Sequence, residues 1–258
     1  MALHPLHEGA DDPCRLGNHL PVRQQHVPKP RRLVLRALTA LVAGLAWTSP
    51  HPVVIGHSVR GRPIVAYERG YRSAPVTLVV GVIHGTETAG LKVVAQLQKV
   101  PLKRHAHLWL VPTVNPDGLA AGTRENARGV DLNRNWPAAW VNEGRPWSGT
   151  YSGQRPMSEP ENRAMRRFIL RVRPALTIWY HQPLDLVYGS DPHVKVLRHY
   201  ARLTGFPYVR RRVPHGAATL WERIHFRRGA HFVVEFPAGR ISAPAAARHA
   251  RAVLALAP

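Results

Sequence analysis

The sequence predicts an α/β domain with a mixed, twisted β-sheet sandwiched between helices. Three observations carry that expectation. Residues 76–83 and 107–114 are continuous apolar runs, as strands covered on both faces require. Leu176–His181 and residues 230–236 repeat the pattern later in the chain. Segments with helical spacing alternate with these runs, which implies a largely parallel or mixed sheet with helices on both faces.

The first 50 residues stand apart. Residues 1–30 are polar, contain His and Pro, and show no periodicity. Lys29-Pro30-Arg31-Arg32 then precedes residues 33–47, which are apolar except for Arg36 and Thr39. A basic patch before a short apolar stretch is the pattern of an export signal. Residues 37–47 are too few to span a bilayer, which takes roughly 20 residues. Arg31-Arg32 resembles a twin-arginine signal, with Pro30 where Ser or Thr is usual. The expectation is an exported or cell-envelope protein. The alternative is a disordered tail leading into an amphipathic helix, which leaves the chain cytoplasmic. Residues 51–258 form the expected catalytic domain.

Within it, residues 53–55 and 63–69 around Gly61-Arg62 read as a hairpin. The strand at 76–83 is followed by a helix over 88–99 and a strand at 107–114. Residues 115–157 are rich in Gly, Pro, Asn and Arg and read as long functional loops. Ser158-Glu159-Pro160-Glu161 reads as a capping box with Ser158 as N-cap, opening a helix to Arg173. A strand over Leu176–His181, a helix over 193–204, a strand over 230–236 and a helix over Ala243–Leu256 complete the reading.

The chain has 258 residues, 45% of them hydrophobic, enough for a substantial core. A single cysteine, Cys14, excludes an internal disulfide framework and cysteine-rich metal sites. The formal net charge is +21. That suits an anionic envelope polymer or another polyanion, or else reflects an arginine-rich proteome. No nucleic-acid-binding motif is present, and the arginines are scattered rather than in one stripe.

Four segments hold chemistry. His84 closes an apolar run, at the strand edge where α/β sheets bind ligands, and Glu87 follows three residues later at a helix start. His181 ends another apolar strand. Two histidines and a carboxylate make three protein ligands and leave the fourth position of zinc open, the catalytic arrangement. Glu235 lies inside Phe232-Val233-Val234-Glu235-Phe236, where an unpartnered carboxylate is costly. It is either ion-paired to an arginine or a general base with a pKa raised by burial. Arg124, Asn133 and Arg134 lie in the loops, where arginine forks suit a carboxylate or a developing oxyanion. Asp131 is a natural partner for the far nitrogen of a ligand histidine.

The motifs His84-Gly85-Thr86-Glu87, Asn115-Pro116-Asp117-Gly118, Asp131-Leu132-Asn133-Arg134-Asn135, His181-Gln182-Pro183 and Val234-Glu235-Phe236 resemble, in order and spacing, the zinc metallocarboxypeptidases of the carboxypeptidase A type. The resemblance covers roughly residues 53–257 and is strongest to the compact bacterial branch of murein peptide amidases and γ-D-glutamyl-diaminopimelate peptidases. It implies a zinc carboxypeptidase-like fold with one zinc ion per chain on His84, Glu87 and His181. It makes Glu235 the general base and acid and Arg124 the group polarising the scissile carbonyl. Asn133 and Arg134 would hold the substrate's free carboxylate, and Asp131 would orient His84. The implied substrate is a cell-wall muropeptide cut between γ-D-glutamate and diaminopimelate. Removal of C-terminal residues from ordinary peptides and a catalytically silent wall-binding domain are the alternatives. Digestive-type relatives carry a mobile tyrosine on the loop before the catalytic strand. Here that loop reads His215-Gly216-Ala217-Ala218-Thr219-Leu220-Trp221. The sequence sets neither the side-chain specificity nor the oligomeric state.

Overall fold

The computed structural model describes residues 47–102, 105–189 and 193–258. The export signal expected over residues 29–47 therefore lies almost wholly outside the described residues. The first strand, β1 (Trp47–His57), begins inside the segment read as a leader. It pairs antiparallel with β2 (Pro63–Gly70), which is the expected hairpin. The remaining strands are β3 (Val76–Val80), β4 (His107–Val111), β5 (Leu176–His181), β6 (Leu186–Gly189) and β7 (Ala230–Glu235). They form one mixed sheet in the order β1-β2-β4-β3-β5-β7-β6. The central pairs β4–β3, β3–β5 and β5–β7 are parallel, and the flanking pairs are antiparallel.

Helices cover both faces. They are α1 (Ala89–Leu97), α2 (Pro116–Ala121), α3 (Pro160–Val172), α4 (Val194–Thr204), α5 (Ala218–His225) and α6 (Ala243–Leu256). Successive strand side chains point to opposite faces, so each central strand feeds two cores. Val79, Ile178, Tyr180, Phe232 and Val234 pack with Val93 and Leu97 of α1, Leu197 and Tyr200 of α4, and Ala250 and Val253 of α6. Leu78, Val80, Trp179 and Val233 pack with Met165, Phe168 and Ile169 of α3, Trp221 of α5, and Trp136. Strands buried on both sides are why the runs are apolar without alternation. Among the described residues no helix is long and apolar enough to cross a membrane.

Several expectations are corrected. β3 ends at Val80, not at residue 83. Gly81, Val82 and Ile83 stay buried, with Gly81 N–H donating to Val111 O (2.9 Å) and Val114 N–H to Val82 O (2.8 Å). Burial outlasts the strand, and the apolar run records burial. The N-cap of α3 is Glu159, not Ser158, and it makes no side-chain capping bond. The carboxylate of Glu161 instead accepts from the Val59 N–H (2.9 Å) and so ties α3 to the chain after β1. The loop region 115–157 contains α2, opened by Asn115, whose side chain accepts from Gly118 N–H. Strand β6 and helix α5 were not anticipated. A four-residue strand is too short to show a period, and α5 has no side-chain N-cap bond to announce it.

Candidate active site

The C-terminal edge of the parallel strands gathers the predicted residues. His181 is the last residue of β5 and Glu235 the last of β7, and they are register partners. His84 and Glu87 lie between β3 and α1, in a tight turn closed by Glu87 N–H donating to His84 O (3.0 Å). Glu87 thus precedes Thr88, the N-cap of α1, rather than opening the helix. The turn can sit there because residue 85 is glycine. A Cβ on Gly85 would stand 2.1 Å from the backbone carbon of Gly118, so α2 packs directly against it.

Three side chains converge. His84 Nδ1 lies 2.9 Å from Glu87 Oε1, and His181 Nδ1 lies 2.9 Å from Glu87 Oε2. The two Nδ1 atoms are 3.2 Å apart. All three residues are buried, and among the described residues they are the one group of His, Asp, Glu or Cys able to hold a metal ion. The far nitrogen of His84, Nε2, meets Asp131 Oδ1 at 2.9 Å. Asp131 is itself fixed, accepting from Asn133 N–H (2.8 Å) and from Arg124 Nη2 (3.2 Å). A carboxylate behind a ligand histidine sets its tautomer and aims the other nitrogen at the metal. The donor set is that of a catalytic zinc site, and the residues fit the ion.

Charge is distributed unevenly here. Burial works against an ionised Glu87, but His84 and His181 outweigh it and hold the carboxyl well below the usual range. Asp131 behaves the same way: burial opposes its charge, and His84 and Arg124 overcome it. Burial also opposes charge on His84, but Asp131 and Glu87 push its pKa up to about 9. For Glu235 burial prevails. Its pKa rises, with Glu87 adding to the rise against the pull of His181. Its Oε2 is buried without a hydrogen-bond partner, and no described arginine forms an ion pair with it. The ion-pair reading of Glu235 is therefore not what the structure shows.

Arg124 and the Asp131–Arg134 segment line the same site. Arg124 donates through Nη1 to Glu87 and through Nη2 to Asp131, while Nε donates to Gly149 O (3.1 Å). Asn133 is held by its carboxamide oxygen, which accepts from Ala218 N–H at the start of α5 (3.0 Å). Arg134 Nη1 donates to Asn133 O (3.0 Å), and no carboxylate of the described residues pairs with this guanidinium. Behind it, Gly216 has φ +63°, and a Cβ there would stand 2.1 Å from Arg134 O. Only glycine allows that approach.

Gln182 had no role assigned from sequence. Its backbone N–H donates to Glu87 Oε2 (3.2 Å), and its side-chain oxygen accepts from Ala89 N–H (2.9 Å). Its side-chain nitrogen donates to Pro237 O (2.6 Å) and Gly239 O (2.7 Å). One residue thus ties the ligand turn to the chain that follows Glu235. Tyr188 on β6 also faces the site. Burial and the charge on Glu235 push its pKa up to about 12. Its signal was invisible because β6 itself was.

The family profile for zinc carboxypeptidases matches residues 46–190. The chain belongs to the zinc carboxypeptidase family. The matched stretch contains His84, Glu87, Arg124, Asp131, Asn133, Arg134 and His181. It stops before Glu235, whose place beside this family's metal ligands comes from the β5–β7 pairing. Among similar proteins, murein peptide amidase A of Escherichia coli K12 is 34% identical over 150 residues, 53% of this chain and 60% of that one. Murein peptide amidase A of Vibrio campbellii is 31% identical over 153 residues, 55% and 60% of the two chains. The alignments thus span about 60% of the length of these relatives. Among solved structures, murein-tripeptide amidase MpaA from E. coli O157 superposes with a TM-score of 0.64 at 27% identity, covering 80% of this chain and 91% of that one. Carboxypeptidase A from Helicoverpa armigera gives 0.70 at 20% identity, covering 86% and 71%, a likeness of fold.

Proposed function

We propose that this chain is a zinc-dependent peptidase that hydrolyses an amide bond next to a free carboxylate, in a cell-wall muropeptide, between γ-D-glutamate and diaminopimelate. The observation that carries the reading is the convergence of His84, Glu87 and His181 beside Glu235, a carboxyl with no partner. The muropeptide substrate is supported by the likeness to murein peptide amidases over half the chain.

His84, Glu87 and His181 hold the ion, which when bound supplies Lewis acidity toward water and the substrate carbonyl. The remaining work belongs to the protein. Glu235 takes a proton from the attacking water and passes it to the leaving amine, a task suited to a carboxyl raised by burial. Arg124 turns its Nη1 donor from Glu87 to the developing oxyanion. Asn133 and Arg134 clamp the substrate's free carboxylate, Asn133 being pre-set by its bond to Ala218. Asp131 orients His84 and keeps the ligand nitrogen available. Export is part of the same reading and rests on the basic and apolar segment over residues 29–47.

The test is mass spectrometry of muropeptides before and after incubation with the purified, zinc-loaded chain. Release of diaminopimelate-containing fragments with the γ-D-glutamyl end left free supports the reading. Loss of single C-terminal residues from ordinary peptides, with muropeptides untouched, replaces it with a general carboxypeptidase. Zinc binding without any turnover leaves only a wall-binding domain.

A further inference from the structure

The residue run Arg210-Arg211-Arg212 takes no part in the chemistry above. With Arg223 and His215 it lines a cavity of about 780 Å³. No carboxylate is among the lining residues. Arg211, Arg212 and Arg223 are exposed and form no ion pair with any described carboxylate. His215 is the exception, with its Nε2 2.8 Å from Glu143. Several like charges around one concavity repel one another and focus a positive potential into it, which an anion relieves.

The cavity shares walls with the active site. Gly189, which lines it, follows Tyr188 on β6. The guanidinium of Arg211 sits over the Tyr188 ring, 5.6 Å from its centroid. β6 pairs with β7, with Leu186 opposite Glu235. On the other side, His215 precedes Gly216, which is packed against the backbone of Arg134. A substrate held at Arg134 with its bond at Glu235 thus has its leaving side chain bordered by these arginines.

We propose that this cavity is a second anion subsite with Arg211 as its central donor, and that the preferred leaving amine carries a second carboxylate beyond the one at Arg134. The proposal rests on the peptidase reading above and adds which feature of the leaving group is recognised. Diaminopimelate has that second carboxylate at the far end of its side chain, whereas lysine is the same chain without it. The far carbon also bears an ammonium, for which Glu143, held by His215, offers the countercharge. Exposed guanidinium groups bind singly with little energy, so selectivity comes from several acting on one carboxylate.

The experiment compares kcat/KM on γ-D-glutamyl-diaminopimelate and γ-D-glutamyl-lysine peptides, with the zinc-loaded chain and its Arg211→Gln and Arg211→Lys variants. The expected wild-type preference for the diaminopimelate peptide is about tenfold or more, the scale of one charge-assisted contact. Arg211→Gln narrows that ratio, mainly through KM for the diaminopimelate peptide, and Arg211→Lys restores part of it. Higher salt narrows the wild-type ratio as well. Equal wild-type rates on the two peptides overturn the subsite, as does a ratio unchanged in Arg211→Gln. If Arg211→Gln does not fold, the wild-type ratio and its salt dependence decide. If neither peptide is cleaved while an ordinary peptide is, the muropeptide reading fails. Calorimetric binding of free diaminopimelate against free lysine to Glu235→Gln protein then judges the subsite separately: tighter diaminopimelate binding upholds it and equal binding ends it.

Discussion

Glu87 and Glu235 are equally hidden from solvent, each 7% exposed, yet their surroundings push their carboxyls in opposite directions. Glu87 stands in a turn that brings two imidazoles and a guanidinium to its oxygens, and it stays ionised. Glu235 ends an apolar strand two positions along the same sheet edge, with one oxygen unpartnered, and burial raises it. Neighbouring acids with environments that split their pKa values mark a division of labour. The ionised one is built to hold a cation, and the raised one to carry a proton. Burial alone distinguishes nothing here; the partners do.

The comparison can be broken from the metal side first. His181→Ala removes one of three ligands and should abolish stoichiometric zinc by metal analysis, since two donors are too few for a catalytic site. Full zinc occupancy in that variant would mean that His181 is not a ligand. Asp131→Asn leaves all three ligands but withdraws the charge behind His84. Zinc affinity should fall about 10–100-fold in a competition titration with a chelator. An unchanged affinity would reduce Asp131 to scaffolding for Arg124 and Asn133.

Arg134→Lys leaves both carboxyls alone and sharpens the contrast by exclusion. It should raise KM about tenfold or more for substrates with a free carboxylate, while zinc content stays at one per chain. Amidating that carboxylate should harm the wild type similarly and add little in the variant. Indifference to amidation would remove the clamp.

The smallest expected effect concerns a third buried acid. Glu222 on α5 is fully buried, accepts from Trp179 Nε1 (2.8 Å), and has its pKa raised by burial to about 8. The folded state holds this proton more tightly than the unfolded chain. Its contribution is therefore complete below the unfolded value near 4.5 and is lost as pH rises toward about 8. Glu222→Gln keeps an acceptor for Trp179 and should flatten the fall in Tm across that window. An unchanged slope would mean that Glu222 titrates normally, and that burial is a weaker force in this sheet than Glu235 requires.

The sequence was most legible where burial and chemistry coincide. Leu176–His181 and Ala243–Leu256 were read to the residue, because a strand covered on both faces and a long amphipathic helix impose strong patterns. The site residues His84, Glu87, Asp131 and His181 were legible as types at spacings, and the fold brings them together. Elements specified by tertiary contacts were hidden. Strand β6 exists because β7 offers it an edge, and α5 begins where Asn133 caps it from 85 residues away. Gln182 was in plain view, but its role depends on carbonyls at Pro237 and Gly239 that no local pattern joins to it. The arginine-lined cavity was hidden for the same reason: a charged run reads as solvated surface until β6 and the Arg134 loop enclose it.

The most direct test of the central division measures zinc content and muropeptide turnover on the same preparations of wild type, Glu87→Gln and Glu235→Gln. The account predicts that Glu87→Gln loses its zinc and with it all turnover. It predicts that Glu235→Gln keeps one zinc per chain while turnover falls about 10²–10⁴-fold, as loss of a proton carrier does. Near-normal turnover in Glu235→Gln, or loss of its zinc, would contradict it.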